Sequence, residues 1–315
     1  MSKTVKIATR EAYGQVLAVL AKENKDIVVL DADLSKSTKT ADFAKIAPQR
    51  FFNAGIAEQN MTGVAAGLAA AGKIPFISSF AVFATGRAFE QIRNSIAYPA
   101  LNVKIAATHA GISVGEDGGT HQSIEDLALM RVLPNMTVIS PADAPETIQA
   151  VQAAVRHQGP VYLRLGRLAV PVIHSEDYQF TLGKGVLELP GQDIVLFATG
   201  MMVSHALEAA SLLAAEGISA AVANIHTIKP LDTEFVVEQA ALCGAVLTIE
   251  EHSVIGGLGS AIAETLLESG CHVPFLRLGV DDMFGQSGSP AALLKYYSLT
   301  PVPIAMRAKA VLAKK

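Results

Sequence analysis

The chain has 315 residues, half of them hydrophobic and 17% charged, with a formal net charge of −4 at pH 7 and no tryptophan. That length predicts one large or two ordinary domains with ample material for a buried core. The charge balance and the absence of a long Lys/Arg cluster argue against nucleic-acid binding. No uninterrupted apolar run reaches 18 residues, which argues against a membrane span. The start, MSKTVKIATREAYG, carries no apolar leader core, so a cytoplasmic location is expected. Cys243 and Cys271 form neither a CxxC pair nor a disulfide framework and read as buried, inert thiols. The basic end, Lys309 to Lys315, reads as a solvated helix terminus.

Short β-branched runs alternate with longer Ala/Leu-rich runs. Residues 8–23 predict a helix with Ala12, Val16, Leu17 and Leu20 on one face, and IVVL at 27–30 predicts a buried strand. A helix over 57–71 stops at Gly72. Strand 74–78, helix 83–97, strand 103–108, strand 137–140, helix 144–156 and strand 161–165 follow. Ser123 with Asp126 reads as a helix cap. Residues 166–190, rich in Gly and Pro, read as a linker with an edge hairpin. The alternation then restarts with strand 194–199, helix 203–215, strand 218–223, helix 232–241, strand 245–250, helix 258–268, strand 273–278 and two terminal helices. The expected fold is α/β, with two doubly wound, mostly parallel domains at 1–184 and 185–315.

The densest chemical signal is HAGISVGEDGGTHQ at 109–122, where two histidines bracket a loop with four glycines and two adjacent acids. His109 lies just past a predicted strand, where open parallel sheets collect ligands. A metal site of His109, Asp117 and His121 matches no compact zinc spacing and ranks below phosphate or hydroxyl binding. Glu58, in GIAEQNM, opens a helix whose Gly63, Ala66, Gly67 and Ala70 form a small-residue face. It reads either as a first-turn glutamate favoured by the helix dipole or as a desolvated acid whose raised pKa suits proton transfer. Phe80 and Phe83 read as core or as a platform for a planar ligand. Arg87 and Arg93 read as surface or interface cations. Arg10, Ser37 and Arg167 sit near element ends where guanidinium and hydroxyl donors gather a phosphate. EEHSVIGGLGS at 250–260 lacks the GxGxxG spacing and reads as a tight turn into a helix, with Glu250, Glu251 and His252 as an interface or regulatory group.

GIAEQNM, SFAVFATGRAFEQIR, THAGISVGEDGGTHQSIEDLALMRVLPNM, ISPAD and VYLRLGR together resemble the pyrimidine-binding half of transketolases, and the tail resembles their carboxyl-terminal domain. E1β subunits of 2-oxoacid dehydrogenases share the fold and the glutamate but not the glycine loop, whereas deoxyxylulose-phosphate synthases carry a similar loop. The resemblance implies thiamine diphosphate, held between chains or domains. It implies that Glu58 contacts N1′ of the aminopyrimidine and that Phe80 and Phe83 line its pocket, with Asp33 an acid near the cofactor. Arg10, Ser37, His109 and Arg167 then grip the sugar phosphate, while Asp117 and His121 read substrate hydroxyls, His121 with a catalytic role.

One departure is clear. The family's GDG…Asn motif, which holds Mg²⁺ and the diphosphate, is absent here. The resemblance therefore implies a split enzyme. A partner chain with GDG…Asn brings Mg²⁺ and the diphosphate site, this chain supplies no metal ligands, and the complex is a dimer or an α₂β₂ assembly. The implied reaction is transfer of a two-carbon ketol unit from a ketose phosphate to an aldose phosphate. The alternatives are a deoxyxylulose-phosphate-synthase-type condensation and an inert binding or regulatory homologue.

Overall fold

The computed structural model describes residues 5–315, so the first four residues of the leader reading lie outside it. Among the described residues no helix is long and apolar enough to cross a membrane. The chain is α/β and built on mostly parallel sheets. A seven-stranded sheet runs in the order Thr227–Lys229, Thr137–Ile139, Val161–Arg164, Lys104–Ala107, Ile74–Ser78, Ile27–Asp31, Phe51–Asn53. A five-stranded sheet runs Phe275–Val280, Val246–Ser253, Ile194–Ala198, Ala220–Asn224, Val186–Leu189.

The β-branched runs are strands because both of their faces are covered. Ile27 and Val29 pack with Tyr13, Leu17 and Val151 of the helices Thr9–Glu23 and Ala144–Arg156. Val28 and Leu30 pack on the opposite face with Met61 and Ala65 of the helix Glu58–Ala70. Period-2 alternation thus places one helical layer on each side. Local signals fix several helix ends. Asp143 accepts the Glu146 N–H at 3.1 Å, and Gly244 closes the helix Thr233–Cys243 in the left-handed region.

Several elements differ from expectation. The predicted helix over 83–97 is two π-helical stretches, Val82–Arg87 and Ile92–Ala97, separated by the short α-helical turn Phe89–Gln91. The 166–190 segment contains no hairpin: Ala169–Pro171 pairs antiparallel with Lys6–Ala8, and Val186–Leu189 edges the second sheet. Thr227–Lys229, from the second half of the sequence, pairs antiparallel with Thr137–Ile139 and edges the first sheet. Cys243 is buried but Cys271 is only half-buried. Ser123 caps nothing. Its Oγ is buried without a partner, and the helix Asp126–Arg131 has no side-chain cap.

Asp126 answers a stronger donor instead. Arg164 Nε donates to Asp126 Oδ2 at 2.7 Å, Arg164 Nη2 donates to Oδ1 at 3.2 Å, and Tyr162 Oη donates to Oδ2 at 2.6 Å. Burial alone would raise the Asp126 pKa, but Arg164 outweighs it and holds the carboxylate below its ordinary range. Arg164 Nη2 also donates to the Glu251 carbonyl at 2.8 Å, tying the first sheet to the second. Glu250 caps the helix Leu258–Glu268, accepting the N–H groups of Leu258 at 2.7 Å and Gly259 at 2.8 Å. Glu250, Glu251 and His252 are all buried, and Glu251 and His252 face the first half through Ser113, Arg164 and Ala128. Arg164→Met strands a buried carboxylate and is expected to cost about 3–5 kcal/mol in urea denaturation, with Arg164→Met/Asp126→Leu losing less. An equal loss in the double variant would show that packing, not charge pairing, sets the cost.

Candidate active site

Glu58, Phe80, Phe83, His109, His121 and Arg10 come together beyond the carboxyl ends of the first sheet's strands, whereas Asp33 and Arg93 do not join them. Glu58 opens its helix and is 2% exposed, so burial is as expected. The lone desolvated acid is not. Arg87 Nη1 lies 2.9 Å from both Glu58 oxygens. Arg87 is an exposed cation, as read from the sequence, but it is paired with a buried acid. Its guanidinium sits over the Phe83 ring, 4.5 Å from the centroid. Phe83 and Arg87 are four residues apart, a spacing that sets them on one side of the helical turn, and the segment Val82–Arg87 that carries them is wound as a π-helix, a form that often marks functional sites.

Phe83 stacks beside Phe80, with ring centroids 6.0 Å apart and 15° between planes. Phe80 in turn stacks on His109 at 3.8 Å, and His121 meets the Phe83 ring edge-on at 5.3 Å. The two phenylalanines and two histidines form one aromatic shelf, continuous through Arg87 with Glu58. His109 takes a left-handed backbone, φ 58°, immediately after the strand Lys104–Ala107 and Thr108.

Arg10 links the shelf to the 31–41 loop. Its Nη1 donates to the Ser37 carbonyl at 2.9 Å and lies 3.2 Å from His109 Nε2. Ser37 thus meets Arg10 through its backbone rather than its hydroxyl. An arginine N–H only donates, so Nε2 accepts and the ring proton belongs on Nδ1, 2.8 Å from Thr108 Oγ1. Burial, reinforced by Arg10, Arg167 and His121, pushes the His109 pKa down to about 3. His109 is a neutral acceptor near pH 7, and the positive charge here resides on Arg10 and Arg167.

Arg167 lies 3.7 Å from a carboxylate oxygen of Glu116 and of Asp117, and also donates to the Val114 carbonyl. Asp117 therefore faces Arg167 rather than completing a metal set. Among the described residues no cluster of three His, Cys, Asp or Glu side chains is arranged to hold a metal ion. Asp33 bonds Asn53 at 2.9 Å and is not part of the shelf's contacts. Arg87, Arg164 and Gln122 were not singled out as functional. Arg87 lies four residues after Phe83, a same-face spacing, but nothing in that spacing points to Glu58 as its partner.

This is a two-domain α/β chain whose polar and aromatic side chains gather at the ends of parallel strands. Two family models match it: "Transketolase, pyrimidine binding domain" over residues 5–172 and "Transketolase, C-terminal domain" over residues 183–304. The putative transketolase C-terminal section of Methanocaldococcus jannaschii is 51% identical, over 95% of this chain and 94% of its own length. A 6-deoxy-6-sulfo-D-fructose transketolase subunit of a Clostridium species is 46% identical, over 97% and 95%. A solved structure described as a split gene transketolase, inactive beta4 tetramer, superposes with a TM-score of 0.90 at 57% identity, over 98% and 99%. The chain belongs to the transketolase family.

Arg87→Met unpairs the buried Glu58 carboxylate. Because Arg87 is half-exposed, the expected loss is only about 1–2 kcal/mol, and Arg87→Met/Glu58→Gln should recover part of it in a urea-denaturation cycle. Additive losses would show that the two groups do not interact. The lowered His109 pKa also sets a sign. Between pH 6.5 and about 3 the unfolded chain binds the His109 proton and the folded chain does not. Stability from this group is therefore intact above pH 6.5 and lost as pH falls towards 3. His109→Gln is expected to reduce the stability lost on going from pH 7 to pH 4.5 by about 2–3 kcal/mol. A variant with the wild-type acid limb would contradict the neutral assignment.

Proposed function

We propose that this chain is the carboxyl-terminal subunit of a thiamine-diphosphate-dependent transketolase assembled from two different chains. The observation that carries this reading is the buried Glu58 carboxylate, joined through Arg87 to the Phe80–Phe83 shelf. A carboxylate beside two stacked rings is the donor set an aminopyrimidine requires: an acceptor for a ring nitrogen and an apolar face for the heterocycle. When bound, thiamine diphosphate supplies a carbon nucleophile that cleaves and forms the bond next to a ketose carbonyl. Glu58 holds the proton at the pyrimidine nitrogen N1′, Phe80 and Phe83 orient the ring, and burial keeps bulk water from the carboxylate. Arg87, half-exposed, would have to leave the carboxylate for a pyrimidine nitrogen to take its place there.

The two-chain assembly is supported by relatives described as a C-terminal section, a transketolase subunit and a split-gene enzyme. The partner would carry Mg²⁺ and the diphosphate site. Arg10 and Arg167 give this chain two cations for the anionic tail of a ketose or aldose phosphate, with His109 as an acceptor between ring and guanidinium. Asp117 and His121, on the glycine loop, face substrate hydroxyls. Asp33, held by the Asn53 amide at 2.9 Å, is kept as an acid near the cofactor.

In the reconstituted two-chain complex, Glu58→Gln is expected to lower kcat by about 10²–10⁴-fold without dissociating the subunits, as read by gel filtration and a coupled ketol-transfer assay. Near wild-type turnover would remove the proton role. Turnover by the purified chain alone with thiamine diphosphate and Mg²⁺ would remove the two-chain reading.

A further inference from the structure

We propose that Gln122 and Glu251 are positioning residues that clamp the glycine loop 111–121 onto the carboxyl-terminal domain. That domain thereby sets the geometry of Asp117 and His121. The inference rests on the proposed sugar-phosphate reaction and extends it to a half of the chain that supplies none of the residues assigned to substrate or cofactor.

The loop meets the second domain at its start, along its middle and at its far end. At its start, Gly111 takes φ 78°, and a Cβ there would lie 2.3 Å from the Glu251 carboxyl carbon. Two residues on, the Ser113 N–H donates to Glu251 Oε1 at 2.6 Å. Glu251 is 4% exposed and belongs to the strand Val246–Ser253. Its carboxylate therefore fixes the place where the chain leaves the strand end carrying His109.

At the far end Gln122 acts as a three-way tie. The two N–H groups of its Nε2 are shared among three carbonyls, those of Ile112 at 3.1 Å, Gly115 at 3.4 Å and Gln286 at 2.9 Å. The first two bonds fold the loop on itself, and the third fastens it to the 281–289 segment of the second domain. Glycines allow this approach. A Cβ on Gly119 would lie 2.6 Å from the Gly285 carbonyl oxygen, and one on Gly285 would lie 1.7 Å from Gln122 Oε1. Ser287 Oγ adds a bond to the Glu116 carbonyl at 2.7 Å, next to Asp117. His121 adjoins Gln122 in sequence, and its own N–H donates to Gly118 at 3.0 Å. A shift of the tie therefore moves His121 against the Phe83 ring and moves Asp117 against Arg167. Displacements of about 1 Å in such groups cost up to about 10²-fold in rate.

The test uses the full-length chain in complex with its partner. Gln122→Leu removes the donor, Glu251→Leu removes the acceptor and Glu251→Gln keeps one. Ser287→Ala deletes an exposed hydroxyl and serves if a buried variant fails to fold. Hydrogen–deuterium exchange over 111–122 is read beside KM, kcat and thiamine diphosphate affinity by calorimetry. Gln122→Leu and Glu251→Leu are expected to speed loop exchange and raise KM for the sugar phosphates about tenfold or more. Cofactor affinity should stay within about twofold, Glu251→Gln should approach wild type, and Ser287→Ala should speed exchange around 115–118. Unchanged exchange in Ser287→Ala and in every folded buried variant overturns the clamp. So does loss of cofactor affinity in step with KM, which marks general collapse. Faster loop exchange in a wild-type-like complex that never turns over sugar phosphates overturns the functional reading and leaves the clamp standing.

Discussion

The two halves of this protein depend on one buried cation. Arg164 lies at the end of a central strand of the first sheet, 7% exposed, and a guanidinium in such a place must be fully paired. Asp126 takes two of its bonds and the Glu251 carbonyl takes a third. Desolvation opposes the charged form of both side chains, yet their proximity keeps Arg164 protonated and Asp126 ionised. A pair of this kind adds little net stability over an apolar substitute, because desolvation consumes much of the Coulombic gain. What it supplies is register: only one placement of the second sheet brings a carbonyl to the third bond.

A second buried polar group holds the hinge on the other side. His174 bridges Asp143 at 3.0 Å and Glu188 at 2.9 Å. Glu146 accepts from Tyr178 at 2.6 Å and from Asn224 at 2.9 Å. These partners raise the His174 pKa to about 10, despite burial, whereas burial lifts that of Glu146 to about 7. The linker read from its Gly and Pro content as carrying an edge hairpin is instead pinned through His174 and Tyr178. Two polar ties and an edge strand contributed by the later sequence thus make the first sheet and the second domain one scaffold.

Much of this was legible because the period-2 and 3.6-residue patterns survive in strongly amphipathic or doubly covered elements such as Ile27–Asp31 and Ala144–Arg156. The short edge strands were missed because three residues, as in Thr227–Lys229, carry no period. Their pairing is set by tertiary contacts that a local window does not contain. The glycine loop and its histidines were visible because few structural roles require so many glycines between two titratable rings. Burial of Glu58 was legible from the small residues behind it. Its partner was not, because Glu58 and Arg87 lie 29 positions apart on separate helical elements, and no local window of sequence contains both. Ser123 and Asp126 mislead for a related reason: the capping pattern is local, and a buried guanidinium from a distant strand offers the carboxylate a stronger, charge-assisted bond.

The arrangement of charge explains why the aromatic shelf can stay ordered beside so many ionisable groups. His109, stacked on Phe80, is held neutral by burial and by the two nearby arginines. Were it charged, Arg10 at 3.2 Å would repel it and the stack would open. As a neutral acceptor it instead anchors Arg10, whose second bond to the Ser37 carbonyl ties the 31–41 loop to the sheet. Arg87 and Glu58 neutralise each other at one end of the shelf, and Arg167 with Glu116 and Asp117 do so at the other. The acids at the Arg167 end are exposed and 3.7 Å away, a loose pairing that an incoming dianion can displace at small cost. At the Glu58 end the bonds are 2.9 Å and the carboxylate is buried, so displacement of Arg87 requires a partner that restores a hydrogen bond to the acid. On the proposed reading the site would therefore discriminate by burial: at one end any suitably placed anion would compete, whereas at the other only a group that bonds Glu58 and stacks on Phe83 would gain entry.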